Sequence, residues 1–134
     1  MKNRYLVFRL QPGADLYLGI IENCVKAQLK AGCIVSAVGC LKKVVFRKSD
    51  GNSIYKESNE FEVTSLSGTI SEDGVHLHIQ LCDNELRSIG GHLKAGCIVN
   101  TTMEIVIRNL ESEYILTREY DQGTGYNELE VTKK

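Results

Sequence analysis

Apolar and polar residues alternate along most of this chain, and the period changes in a sustained way only once. From Leu16 onward, Tyr17, Ile20, Ile21, Cys24, Val25 and Leu29 recur at helical spacing, which predicts one amphipathic helix of about four turns. Asp15 is placed to cap its start, and Gly32, just after Lys26 and Lys30, to close its end. Elsewhere the pattern is that of strands. Residues 4–10 read as a first strand, broken by Gln11-Pro12-Gly13-Ala14. Residues 33–46 read as one long bent strand or two short ones, with Gly39 at the bend. A hairpin turn at 49–52, built on Asp50-Gly51, leads to a strand at 59–70 and a second turn at 71–74. Residues 83–92 read as a loop with a short helical turn. A long strand at 98–108 follows, then a shorter strand or turn at 113–118 and a last extended segment at 126–131. One helix with about seven turn-connected strands predicts an α+β, sandwich-like fold with a mostly antiparallel sheet. Residues 1–134 then form a single domain.

The strand after the second turn carries the candidate chemistry. Val75, Leu77, Ile79 and Leu81 alternate with His76, His78 and Gln80, so the apolar set faces a core and both imidazoles share the other face. Their backbones are then roughly 6.5–7 Å apart, close enough to grip one metal ion. His92, the third and last histidine of the chain, follows Gly90-Gly91, where the backbone can turn sharply to close the set. Three neutral imidazoles suit zinc in an open site, or one shared between subunits. Cys82 lies on the same alternate face and could contribute. Zinc lowers the pKa of a bound water toward ~7, and Asp83, Glu85 or Glu104 could serve as a base beside it.

Other residues carry less. Ser65 and Ser67 beside Gly68 lack the Gly-x-Ser-x-Gly elbow of a nucleophilic serine and read as ordinary strand serines. The five cysteines form no Cys-x-x-Cys pair and sit mostly in apolar runs, which predicts reduced core thiols in a cytoplasmic protein. No secretory signal and no membrane span are expected from the pattern. The net charge of −1 gives poor support for general nucleic-acid affinity. Leu29-Lys30-Ala31-Gly32-Cys33-Ile34-Val35 recurs letter for letter as Leu93-Lys94-Ala95-Gly96-Cys97-Ile98-Val99. The flanks do not match, so the same turn chemistry arising twice explains it better than a duplicated unit.

Several strings together resemble the PPC (plant and prokaryote conserved) domain in its free-standing prokaryotic form. They are Arg9-Leu10-Gln11-Pro12-Gly13-Ala14-Asp15, Gly39, Phe61-Glu62-Val63-Thr64-Ser65-Leu66-Ser67-Gly68, Val75-His76-Leu77-His78, Gly90-Gly91-His92-Leu93 and Thr124-Gly125-Tyr126-Asn127-Glu128-Leu129. The resemblance implies an antiparallel sheet with a helix, a homotrimer, and zinc on His76, His78 and His92. Plant proteins of this kind join the domain to an AT-hook and bind AT-rich DNA. The hook needs an Arg-Gly-Arg-Pro core, and this chain has a single proline, Pro12, with no such core. The sequence therefore supports first a metal-binding, trimeric ligand-binding or regulatory module. A zinc-dependent hydrolase or lyase acting on a small polar substrate and a DNA-binding protein are the alternatives.

Overall fold

The structure is a computed structural model that describes residues 3–134. In chain order the elements are β1 (Tyr5–Leu10), α1 (Leu16–Lys26), β2 (Gly32–Arg47), β3 (Ile54–Ser71), β4 (Gly74–Asp83), β5 (Ser88–Leu93), β6 (Ile98–Asn109), β7 (Tyr114–Asp121) and β8 (Tyr126–Lys133). The expected antiparallel α+β fold is present, with eight strands in place of about seven.

Six strands form one sheet in the order β1-β6-β2-β3-β4-β5, antiparallel throughout. The sheet curls until β5 meets the end of β2, where Phe46 faces Leu93 and Arg47 faces His92. The length of β2 makes this closure attainable, because it pairs with β6 along its first part and with β5 at its end. Bends do the rest. Register shifts interrupt β2 against β6 at Ile34/Ser36, Gly39/Leu41 and Leu41/Lys43. Gly39 is at such a bend as expected: its φ is +152°, and a Cβ there would stand 2.0 Å from the Thr102 carbonyl oxygen.

Helix α1 packs its Leu16, Ile20 and Cys24 stripe into the core, against Leu10 and the inward residues Met103, Ile105 and Ile107 of β6. Asp15 caps it as expected: Oδ1 accepts from the Leu18 N–H at 3.0 Å, and Oδ2 from the Gly96 N–H at 2.7 Å. The C-terminus differs from expectation. The helix stops at Lys26, five residues or so before the anticipated Gly32 closure, and Gln28 takes the left-handed conformation with φ 54°. Leu29 still reaches the core, so its apolar character continued the pattern without continuing the helix.

The turns at 49–52 and 71–74 are where the pattern put them, but β3 begins earlier, at Ile54. Asp50 holds the first turn, accepting from the Ser53 hydroxyl and from the N–H groups of Ser53 and Asn52, and these bonds, the hydroxyl's above all, pull its carboxyl down to about 2. The largest correction is at 83–92. Only residues 84–87 are a turn, and Ser88–Leu93 is a strand. The repeated heptapeptide also diverges: Gly32 opens β2 directly, whereas Gly96, with φ +107°, sits in a turn ahead of β6. The copies are not one structural unit. Strands β7 and β8 form a separate two-stranded ribbon that returns toward the β3–β4 turn, where the Glu72 N–H donates to the Leu116 carbonyl and the Arg118 N–H to Asp73.

Candidate metal centre

Strand β4 buries Leu77, Ile79 and Leu81 and turns His76 and His78 outward, as alternation requires. Strand β5 lies beside it with His92 directly opposite His78. Cross-strand partners share a face, so His92 joins the other two through sheet register and not through a loop. Glycine is what lets β5 approach so closely. A Cβ on Gly90 would stand 2.1 Å from the Ile79 carbonyl oxygen, and one on Gly91 would press on Phe46 and the Arg47 carbonyl.

The three rings form a compact cluster, with centroids 4.9, 5.2 and 5.5 Å apart. One ring nitrogen from each lies within 4.8 Å of the others. His76 Nε2 and His78 Nε2 are 3.2 Å apart. Zinc–nitrogen bonds of about 2.0–2.1 Å at a tetrahedral angle require nitrogens roughly 3.3–3.4 Å apart. The donor set therefore fits a tetrahedral ion with one pair near its final spacing, while His92 has to close in. Electrostatics favour the ligating form. Burial lowers the proton affinity of His76, and His78 and Arg118 lower it further. Burial and then Arg47 push His92 down to about 4. Both imidazoles are neutral at pH 7, with lone pairs to give.

Arg47, at the end of β2, faces His92 across the sheet closure, and its Nη2 approaches His92 Nδ1 at 3.4 Å. A guanidinium can only donate, so Nδ1 is the acceptor in this contact. A metal on that nitrogen displaces Arg47, at small cost for so long a contact. The Arg47 guanidinium also lies over the Tyr126 ring at 5.6 Å. Two cavities flank the triad. One, of about 440 Å³, is walled by Arg47, His76, His92, Arg118, Tyr126 and Glu128. The other, of about 770 Å³, runs from Arg47 and Lys48 past all three histidines to Gly90. Ribbon β7–β8 supplies one wall of the first cavity, and Arg118 Nη2 is steadied by the Thr69 hydroxyl at 2.9 Å, opposite His76.

The anticipated supporting residues are placed elsewhere. Asp83 points to the buried side and accepts from the Glu85 N–H, the Arg87 N–H and Arg87 Nε, tying the β4–β5 turn. Glu85 belongs to that turn. Glu104 is on β6 beside Arg9 and Val38, with two strands between it and β4 in the sheet order. Cys82 keeps its outward parity but faces Ser88 and Glu62, beyond the cluster of ligating atoms. Arg47, Arg118 and Glu128 carried no signal at the sequence level. The string Thr124-Gly125-Tyr126-Asn127-Glu128-Leu129 contains three residues that line the cavity, Tyr126, Asn127 and Glu128.

A small antiparallel α+β domain with a self-closing sheet and an outward histidine triad is the class these features define. The chain belongs to the Plants and Prokaryotes Conserved (PCC) domain family, whose description matches residues 1–111. Strands β7 and β8 lie beyond that match, yet they are covered by structural relatives. A hypothetical protein from Salmonella enterica aligns with a TM-score of 0.92 and 32% identity, covering 98% of this chain and 94% of its own. A plant- and prokaryote-conserved (PPC) protein from Pyrococcus horikoshii aligns with a TM-score of 0.80 and 26% identity, covering 98% and 94%. A metal-containing protein from Archaeoglobus fulgidus shares the fold, with a TM-score of 0.75 and 24% identity over 96% and 94% of the two chains. Among curated sequences, the bifunctional protein GlmU of a Synechococcus strain is 40% identical over 97% of this chain. The chain spans about a fifth of that protein's length, 21%.

Proposed function

We propose that this protein is a metal-binding module in which His76, His78 and His92 hold one zinc ion, and that it serves as a ligand-binding or regulatory unit assembled as a homotrimer. The observation that supports the metal best is the 3.2 Å separation of His76 Nε2 and His78 Nε2, with a third imidazole in reach. Imidazole donors favour zinc over magnesium or calcium, which take oxygen ligands. The metal-containing relative from Archaeoglobus fulgidus points the same way. Bound in such a site, the ion would supply Lewis acidity and an attachment point for a polar ligand. Five unpaired cysteines suit a reducing compartment, the cytoplasm in this reading, and no helix among the described residues is long and apolar enough to cross a membrane.

Elemental analysis of tag-free protein beside a His76→Ala/His92→Ala variant tests the site. About one zinc per chain, lost in the variant, is the expected result. Equal and negligible metal in both after zinc loading overturns it.

Glu128 favours a second reading, a zinc-dependent hydrolase or lyase on a small polar substrate. It lies in the cavity wall close enough to raise the proton affinity of His76, and so could hold a proton during turnover. In that case Glu128→Gln abolishes turnover of a small ester or amide while the metal stays bound. Loss of metal together with turnover would instead assign Glu128 to the site's architecture. The DNA-binding reading would show itself as salt-sensitive retention of AT-rich duplex.

A further inference from the structure

We propose that the cavity over the histidine triad binds a small monocarboxylate, with Arg47 as its anchor; this rests on the metal reading above. Arg47 walls both cavities together with His76 and His92, and it stands directly opposite His92. It is held firmly and used little. Its Nε is shielded from water and has no hydrogen-bond partner. Among the described residues, the acceptor it reaches is His92 Nδ1, at a long 3.4 Å. The guanidinium carbon lies 5.6 Å from the Tyr126 ring centroid, within cation–π reach. A buried N–H without an acceptor is costly, and such a group in a cavity wall asks for an acceptor from outside the chain.

Metal binding sharpens that demand. An ion held by the triad would add two positive charges next to the guanidinium, and on His92 Nδ1 it would take the lone pair that Arg47 now contacts. A carboxylate answers both. One oxygen can face the ion while the carboxylate meets the Nη groups of the guanidinium, a planar pairing for which arginine is suited. The rest of the wall limits the charge of the ligand. Asp73 and Glu128 line the same cavity beside Arg118, which donates to the Thr69 hydroxyl and keeps its charge. Two acids in the wall oppose the close approach of a phosphate dianion or a dicarboxylate more than that of a single negative charge. Hydroxyl or ammonium groups at the ligand's other end find acceptors in those same acids. The volume of about 440 Å³ is in the range of small-molecule sites.

The test is calorimetric titration of zinc-loaded protein with acetate, lactate and inorganic phosphate, after metal content has been measured. Acetate and lactate bind, lactate more tightly, and phosphate binds more weakly than either. In Arg47→Gln, carboxylate affinity falls about tenfold or more while metal content is unchanged. Arg47→Lys keeps the charge without the fork and falls nearly as far, which separates geometry from net charge. Tyr126→Ala, which frees the guanidinium, gives an intermediate loss and serves if the Arg47 variants fold poorly. Carboxylate binding unchanged in both Arg47 variants, phosphate bound more tightly than lactate, or metal-loaded protein that takes up no carboxylate would each overturn the inference. If the wild-type protein takes up no metal, the metal reading fails first and this inference with it. Metal retained without carboxylate binding sinks this inference alone.

Discussion

Gly68 faces Leu77 across the β3–β4 ladder with φ +146°, and an added Cβ would stand 2.0 Å from the carbonyl oxygen of His76. The obstacle is backbone, so the strand must move away and take His76 with it. Gly68→Ala is therefore expected to cost on the order of 3 kcal/mol or more and to lose metal in the protein that still folds. Gly74 is the control. Its φ of +136° is as unusual, but nothing lies within 4 Å of its missing Cβ. Gly74→Ala should cost only the backbone strain, about 1–2 kcal/mol, and keep its metal. Urea unfolding and elemental analysis on both variants check the contrast, and equal behaviour of the two would remove the argument from close approach. The same reasoning explains why glycines misled the sequence reading. Gly90-Gly91 signalled a turn before His92, whereas they are thin residues inside a strand, needed because two neighbouring backbones and Phe46 crowd them.

Strand β5 delivers His92, and the turn that aims it depends on Asp83. The Asp83 side chain is 6% exposed, and its oxygens take three N–H donors from the turn, two backbone and the Arg87 Nε. Arg87 also bridges to Glu57 on β3 at 2.7 Å, so one arginine binds the turn to the neighbouring strand. The Arg87 guanidinium and these backbone donors hold the Asp83 carboxyl below the usual carboxylate range. The unfolded chain takes up this proton first as pH falls, so the stabilisation is present above the ordinary aspartate pKa and lost as pH drops through the lowered one. Asp83→Asn should lower the urea midpoint at pH 7, and the gap to wild type should shrink toward pH 3. A gap that stays constant across that range would deny the charge its part. Much at this scale was legible in the sequence. The outward parity of His76 and His78, the cap at Asp15, both hairpin turns and the bend at Gly39 follow from local pattern, and local forces set them. What escaped was set by distant contacts. The end of β2 meets β5 through sheet closure, and nothing in the letters around Arg47 or Arg118 announces a partner so far along the chain.

At the scale of the whole molecule, helix α1 covers one face of the sheet, and the opposite face of β1, β6 and β2 has no cover among the described residues. Tyr5, Val7, Val35 and Val38 are 42%, 67%, 55% and 53% exposed there, with Val106 between Val7 and Ser36 in the ladder. Apolar side chains gathered on one sheet face are the usual mark of a surface that another copy or partner covers. The homotrimer proposed above gives that strip an occupant of its own chemistry. Sedimentation equilibrium is expected to find three times the chain mass of 14.9 kDa. Val7→Glu/Val38→Glu places acidic groups on the strip, where burial against another copy is costly. Within one chain these side chains stand outside the core, so the variant should keep its strand content and unfold cooperatively as a monomer. Each outcome separates a different idea. A wild-type protein sedimenting at a single chain mass refutes assembly outright, while a trimer that survives the double substitution moves the interface to another face. Metal content measured on the monomer then decides a further point. Retention shows that His76, His78 and His92 of one chain suffice, as their grouping within 4.8 Å in a single chain permits, and loss shows that a neighbouring subunit completes the site.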